Sequence, residues 1–301
     1  MPAYANQLKV RETDADGNYI DGYKDGQFAM NPFTAGWENP VAFQYRGLDN
    51  TNTHRFLSNL GLDVNILKNL VWKPSVSLDV IDSVNDRFID PFRSVYGRQE
   101  RGTGSQTFNL FQDFNFENTL NYTIKSEAHD LNLLGGFQLH ERNVQGQYYW
   151  GNRFPQDLRE FVYELSENPN EIFRKEILRE LSYFGRALYT LNGKYTVMGV
   201  FRYNGSSALA DCKKWGFFPG VSASWNVANE DFLADSKVIS ELKIRGGWGK
   251  TGNASGIPPY AHYNLERLNQ AGENGSWSTH QWSSDIGWEV TTDTNFGLDL
   301  G

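Results

Sequence analysis

The chain has 301 residues, a formal net charge of -8, 39% hydrophobic residues and 15% aromatic residues. A nucleic-acid-binding surface needs clustered basic side chains, so the acidic charge excludes that class. No run of about 18 apolar residues occurs, which argues against a membrane-spanning helix but permits strands that alternate apolar and polar residues. The mean hydropathy is -0.57, and Cys212 is the one cysteine, so neither an internal disulfide nor a cysteine zinc site is predicted.

The first 50 residues are rich in Gly, Asn and Asp and show little periodicity. We interpret residues 1–50 as a loop region that contains one hairpin. Asp14, Asp16, Asn18 and Asp25 offer oxygen ligands at spacings similar to those of a calcium loop. The glycine of such a loop is misplaced here and no Glu closes it, so we interpret these residues as a solvated turn. No metal site and no cofactor are predicted.

Beyond this region, apolar and polar residues alternate over long stretches, which is the pattern of β-strands with one apolar and one polar face. In one such stretch Leu120, Tyr122 and Ile124 alternate with polar residues. Asn192-Gly193 supplies the two positive-φ positions that a tight hairpin turn requires, so its flanking strands are predicted to be antiparallel. About nine strands are predicted, over residues 51–67, 70–83, 106–125, 129–141, 180–191, 194–204, 217–228, 241–250 and 286–300.

The predicted connections alternate between short turns and long loops, the long ones being residues 84–105, 142–179 and 251–285. Outer-membrane β-barrels have short periplasmic turns and long extracellular loops. The alternation therefore predicts an all-β antiparallel transmembrane barrel wall with long extracellular loops. Within the loop over residues 142–179, short helices are predicted after Pro155 and at Asn168-Pro169.

Several motifs occur in an order that resembles the barrel of SusC/RagA-type TonB-dependent transporters. They include residues 182–187 (SYFGRA), 201–207 (FRYNGSS), 221–225 (VSASW), 229–233 (NEDFL) and 251–253 (TGN). The ordered set covers residues 180–301 specifically, and residues 39–70 extend it more loosely. On this resemblance, residues 51–301 form part of the barrel and residues 1–50 an extracellular loop region.

The resemblance implies a multi-pass barrel in the outer membrane of a Gram-negative cell. The complete protein would import oligosaccharides or peptides, with a SusD-like surface lipoprotein as its lid and TonB as its energy source. Barrels of this kind have about 22 strands, so about nine strands form only part of one. The plug domain, the TonB box, the signal peptide and the closing strands of the family are expected to be absent from this fragment.

No enzyme is predicted, because no nucleophile elbow, phosphate loop or dinucleotide fingerprint occurs and the paired carboxylates fall in predicted loops. Large aromatic side chains in predicted external loops are the candidates for stacking on a sugar ring or packing on a peptide. They are Tyr148, Tyr149, Trp150, Trp277 and Trp282, with Trp277 and Trp282 the better candidates. The alternative, that they form an interfacial aromatic girdle or pack loops onto one another, is the favoured interpretation of these residues.

Two other classes of protein stay open at this point. A secreted carbohydrate-binding or glycosidase β-sandwich fits the aromatic and acidic composition, but it predicts shorter strands without alternating turn lengths. A passive porin fits the strands equally well, and it differs from an active importer in having no plug.

Overall fold

The computed structural model describes residues 9–13, 19–28, 48–89, 95–155, 161–233, 239–263, 265–269, 276–280 and 285–301. These residues are almost entirely β-strand, as the alternating pattern predicts. The strands are β1 (Lys9–Thr13), β2 (Tyr19–Phe28), β3 (Asp49–Gly61), β4 (Val64–Leu67), β5 (Leu70–Ile89), β6 (Thr103–Lys125), β7 (His129–Asn152), β8 (Asn170–Leu191), β9 (Tyr195–Ser206), β10 (Trp215–Asn226), β11 (Leu242–Asn253), β12 (Leu265–Asn269), β13 (Ser276–His280) and β14 (Glu289–Leu300).

In the part of the chain that the structure describes, helical structure is confined to short segments in the connections. One α-helix, α1, covers Val95–Glu100, and single 3₁₀ turns cover Tyr163–Leu165, Asp211–Lys213 and Val227–Asn229. Within the described ranges, no helix is long and apolar enough to cross a membrane.

The main sheet has ten strands, in the order β14-β11-β10-β9-β8-β7-β6-β5-β3, with β4 paired to β5. Neighbours in the sheet are therefore mostly neighbours in the chain, and the pairs formed by β8, β9, β10, β11 and β14 are antiparallel. Two further hairpins, β1-β2 and β12-β13, form small sheets of their own. The predicted all-β antiparallel architecture is confirmed.

The β8–β9 hairpin has the turn that its sequence predicts. Asn192 and Gly193 have φ angles of 52° and 65°, and the Lys194 N–H donates to the Leu191 carbonyl at 2.9 Å. Both central residues thus lie in the left-handed region, which Asn and Gly tolerate better than other residues.

The chain divides into two compact units. The first comprises Met1–Phe56, Val80–Phe111 and Val144–Lys175, and its most buried side chains are Phe88 and Phe154. The second comprises Leu57–Asp79, Gln112–Asn143 and Glu176–Gly301, and Leu209 is its most buried side chain.

The predicted strand over residues 51–67 is in fact two strands, β3 and β4. The break lies beside Pro74 of β5, which has no N–H to donate to a ladder. Instead the Leu62 N–H donates to the Pro74 carbonyl at 3.0 Å, and Asp63 forms an ion pair with Lys73. If residues 51–67 formed one unbroken strand, it would pair with Pro74, which has no N–H to donate to the ladder.

The predicted loop over residues 142–179 is wrong in extent, because β7 continues to Asn152 and β8 begins at Asn170. A helix at Asn168-Pro169 is also wrong, since these residues lead directly into β8. Of the helix predicted after Pro155, the described part contains only the 3₁₀ turn Tyr163–Leu165. Tyr148, Tyr149 and Trp150 consequently lie in a strand and not in a loop.

The hairpin expected in the first 50 residues is present as β1 and β2, whose register is irregular. Asp25 lies in β2, whereas Asp14, Asp16 and Asn18 lie outside the described residues. The calcium-like spacing is thus not tested by the geometry.

Candidate functional site

The second unit contains a sheet face on which large apolar side chains are exposed. In β10 the odd-numbered residues from Trp215 to Trp225 lie on this face, and the alternate Ser222 lies on the opposite one. Val221 is 50% exposed and Ile244, on β11, is 47% exposed. A contiguous apolar surface of this kind is a liability in water but suits contact with lipid.

Aromatic side chains form a belt across one end of this apolar face. Trp215 stacks on Tyr203 with ring centroids 4.8 Å apart, and the ring centroid of Tyr183 lies 6.4 Å from that of Trp215. Gly205 faces the indole, because a Cβ there would lie 2.9 Å from the ring atoms of Trp215. We refer to Tyr183, Tyr203 and Trp215 as the Trp215 belt.

A second belt crosses the other end of β10, where Tyr195 and Trp225 stack with ring centroids 6.2 Å apart. The Glu230 carboxylate accepts from the Tyr195 hydroxyl at 2.6 Å, from Lys194 Nζ at 3.0 Å and from Trp225 Nε1 at 3.0 Å. The Tyr195 hydroxyl, then Lys194, then Trp225 lower the pKa of Glu230 to about 2. Lys194 also pairs with Asp231 at 3.0 Å. The connection that begins at Val227 is therefore tied to the β8–β9 turn.

The distance between the belts matches the height of a lipid-facing band. Trp215 and Trp225 are ten residues apart in β10, which corresponds to about 33 Å along a strand at about 3.3 Å per residue. For a strand tilted by about 40°, this is about 25 Å along the membrane normal, the height of the apolar band in outer-membrane barrels.

The opposite face of the same unit carries a hydrogen-bonded polar network. His140 on β7 lies between Asp113 and Glu180, with Nε2 2.9 Å from Asp113 Oδ2 and Nδ1 3.1 Å from Glu180 Oε2. Arg202 on β9 donates to Gln138 at 2.9 Å and also reaches Ser182. The sequence alone gave no sign of this network, because its residues lie on four different strands.

The aromatic residues predicted to bind ligand are separated by the alternation of β7. Tyr148 and Trp150 share one face and stack on each other, with ring centroids 5.0 Å apart and planes 20° apart. Tyr149 lies on the other face, where it packs edge-on against Phe108 and Tyr163 at 6.1 Å and 5.2 Å. Only the first two residues therefore belong to one surface.

Tyr148 and Trp150 line a cavity of about 310 Å³ in the first unit, together with Arg87, Thr103 and Ser105. We refer to it as the Arg87 cavity. Trp277 lies in β13 opposite Leu268, and its side chain lies outside the described part of the chain. Trp282 lies outside the described residues altogether. The structure thus brings together two of the five predicted ligand-binding residues and adds an arginine to them.

Comparison with known proteins was made through both sequence and structure. No family model matches the chain. It is 25% identical to TonB-dependent receptor SusC of Bacteroides thetaiotaomicron, over 100% of this chain and 31% of that protein. It is 26% identical to TonB-dependent receptor P26 of Formosa agariphila, over 87% of this chain and 28% of that protein. The chain thus spans about a third of the length of the curated relatives it matches.

Solved structures agree on the fold. The structure of the RagAB peptide transporter matches 96% of this chain and 32% of its own, with a TM-score of 0.73 and 21% identity. The open-open state of the RagAB peptide importer matches 96% of this chain and 31% of its own, with a TM-score of 0.70 and 22% identity.

Together, the antiparallel sheet, its apolar face with two aromatic belts and its polar opposite face match the fold of part of the RagAB transporter. The named relatives are TonB-dependent receptors. The chain is therefore similar in sequence to part of SusC-type TonB-dependent receptors and has the fold of part of their barrel.

Proposed function

We propose that this chain is part of an outer-membrane importer that takes up nutrient oligomers, either oligosaccharides or peptides, with energy from TonB. The observation that carries the proposal is the two-faced sheet, whose aromatic belts at Trp215 and Trp225 are spaced for a bilayer. Residues 51–301 then form barrel wall, and residues 1–50 an extracellular loop region. The role of the wall is to hold and guide a substrate, not to transform it chemically.

The lengths of the connections support one orientation in the membrane. The turns at residues 68–69, 126–128 and 192–194 are short, whereas the connections at residues 90–102 and 153–169 are long. Short turns face the periplasm in outer-membrane barrels and long loops face the exterior. In this orientation the Trp225 belt lies at the periplasmic interface and the Trp215 belt at the outer one.

The polar face then lines the lumen. His140 is hydrogen-bonded to Asp113 and Glu180, and Arg202 donates to Gln138, so these polar groups are paired across the strands of this face. Such a face offers hydrogen-bonding groups to a hydrated oligomer without presenting an apolar barrier. A plug in the complete protein would block free passage, and its rearrangement would admit substrate.

The proposed partners, a surface lipoprotein and TonB, are taken from the similarity to SusC- and RagA-type receptors. A SusD-like surface lipoprotein would close the extracellular side, and TonB would act on the plug from the periplasm. RagAB is described as a peptide transporter, and the family resemblance adds oligosaccharides to the substrate classes.

The test is uptake by cells in which the complete gene is deleted, with defined oligosaccharides or peptides as the sole nutrient. We expect growth on one of these classes to be lost, and to return with the intact gene but not with a version lacking its TonB-interacting segment. A protonophore, which removes the energy source, should abolish uptake in the intact strain.

Copurification with a neighbouring surface lipoprotein would be expected from the same tagged strain. Uptake that persists without energy would instead identify a passive porin. Recovery of the protein from the secreted soluble fraction would exclude both the active importer and the passive porin.

A further inference from the structure

A cavity in the first unit combines stacked aromatic rings with an arginine, and the proposed import function assigns no role to that arginine. The stacked pair Tyr148 and Trp150 forms one side of the Arg87 cavity. Arg87 on β5 and the hydroxyl-bearing Thr103 and Ser105 on β6 also line it. These residues come from three successive strands of the sheet, so the strands and not a loop hold the cavity together.

We propose that the Arg87 cavity binds one acidic sugar ring, a hexuronate or a sulfated hexose, of an imported oligosaccharide. This inference rests on the proposed import function and specifies its substrate class. Tyr148 and Trp150 provide the stacking surface, Arg87 recognises the anion, and the neighbouring hydroxyls reach the hydroxyls of the sugar.

The size of the cavity suits one ring. Ligand pockets generally range from about 300 to about 1,000 Å³, and this cavity of about 310 Å³ lies at the lower end of that range. A whole oligosaccharide would extend beyond it, so the cavity is a subsite and the rest of the chain would be held elsewhere.

The stacked pair offers an aromatic face to a ligand. Tyr148 is 37% exposed although its ring stacks on Trp150, so part of its surface stays accessible. The electron-rich face of an aromatic ring attracts the C–H groups on the flat side of a pyranose. A peptide backbone presents no comparable flat array of C–H groups, and the aromatic pair therefore favours a sugar.

The charge of Arg87 selects for an anion. Its one ion pair among the described residues is with Asp49, from Nε to Oδ2 at 3.9 Å, and its side chain is 46% exposed. A contact of this length in an exposed pair contributes little. The guanidinium group, with its planar set of donors, therefore retains the capacity to bind a carboxylate or sulfate in a bidentate manner.

The back of the cavity wall is rigidly packed. Phe88, the next residue in β5, is fully buried, and its ring lies 5.4 Å from that of Phe154. Phe161 continues this cluster at 5.8 Å from Phe154 and lies against Gly104, where any Cβ would collide with its ring. A packed layer of this kind fixes the strand positions that carry the ligand-facing side chains.

Backbone strain marks the adjoining rim. Arg101 and Arg153 have φ angles of 55° and 61°, a region that non-glycine residues seldom adopt. Glu167 lies 3.6 Å from Arg101 and 3.7 Å from Arg153, so the two guanidinium groups share one carboxylate. Strain of this kind concentrates at binding sites, and its position agrees with a functional role for this end of the sheet.

The test measures binding to the purified full-length protein in detergent by isothermal titration calorimetry. The probes are a trisaccharide with a central hexuronate, a sulfated counterpart, and the neutral trisaccharide obtained by reducing the carboxyl group. We expect one of the two anionic probes to bind at least about 10-fold more tightly than the neutral one, as a charge-assisted hydrogen-bonded pair implies.

Two substitutions separate the roles of charge and stacking. R87Q should reduce the anionic preference to below about 2-fold and leave the affinity for the neutral probe unchanged. R87K keeps a charge and should retain part of the preference. W150L should weaken the anionic and neutral probes alike, by about 10-fold, because it removes a stacking surface that both use.

Matched controls use residues outside the cavity. Arg245, which pairs with Asp299 at 3.1 Å, gives R245Q, and Tyr149 on the opposite face of β7 gives Y149F. Neither change should alter the preference. Retention of the preference in R87Q, or tighter binding of an acidic peptide than of the anionic trisaccharides, would overturn the proposal.

Uptake by cells distinguishes this proposal from the import function. Cells that import the neutral and anionic probes equally well would refute the acidic-sugar subsite while import stands. If the purified protein shows the anionic preference but uptake by cells does not depend on the gene, import is refuted while the subsite stands.

Discussion

Replacing Val221 by arginine tests which face of the sheet contacts lipid. Val221 lies on the apolar face of β10, six residues after Trp215 and four before Trp225, and is therefore close to the middle of the band between the two belts. An arginine on the lipid face of a barrel costs about 2–4 kcal/mol at the bilayer midplane. We expect V221R to lose about this much free energy of unfolding.

The adjacent residue provides a matched control. Ser222 lies on the polar face, where its strand neighbours are Met198 and Gly247, and Asp293 and Asn295 line the same cavity. An arginine introduced at this position would meet water and the Asp293 carboxylate instead of hydrocarbon. We expect S222R to cost less than about 1 kcal/mol, as for substitutions away from packed or lipid-facing sites.

Both variants are made in the full-length protein, folded into lipid vesicles and unfolded with guanidinium while tryptophan fluorescence is followed. Heat-modifiable migration on a gel gives the folded fraction independently. A cost for S222R equal to or larger than that for V221R would show that the faces are assigned the wrong way round. A V221R protein as stable as the wild type would argue that the apolar face does not meet a bilayer.

Three further predictions concern the belts and the packed layer. The folded pKa of Glu230 is about 2, below its usual 4.5, so its stabilising effect is complete above pH 4.5 and is lost as the pH falls to about 2. E230Q should remove this acid dependence of the free energy of unfolding, measured between pH 2 and 6. An unchanged pH profile in E230Q would refute this role of Glu230. G205A should displace the Trp215 indole and shift its fluorescence emission, whereas G199A, where a Cβ meets nothing within 4 Å, should not. F88A should cost about 3–5 kcal/mol locally and speed hydrogen exchange at the end of β5, and exchange that matches wild type would contradict the packing.

The strands that cross the apolar band could be predicted closely from the sequence. In β9 and β10 most residues of the apolar face are large and apolar and most of the alternate residues are small or polar, so the period of two is visible. Met198, Val200 and Phe218 are the exceptions on the alternate face. Residues 51–67 were the exception, because the break beside Pro74 is set by its missing N–H and not by hydrophobic alternation.

Toward the end of β7 the same reasoning fails for a different reason. Asn143, Gln145 and Gln147 occupy the positions in the alternation that Leu133 and Leu139 occupy earlier in the strand. The apolar residues there, Val144 and Tyr148, fall on the alternate positions, so the phase of the alternation is inverted although the strand continues. A prediction that follows one phase of alternation therefore ends the strand too early, and β7 was predicted too short. Residues 170–179 of β8 show no regular alternation at all, and β8 was also predicted too short.

The candidate site could be predicted only in part for a related reason. Tyr148 and Trp150 are two residues apart, so strand alternation places them together and separates them from Tyr149. Arg87 is about 60 residues away, and its position beside them depends on the register of β5, β6 and β7, which no local pattern encodes. The position of the charge proposed to select the substrate could thus be found only from the three-dimensional structure. Substitution of Arg87 is the experiment that distinguishes an aromatic wall from a selective binding site.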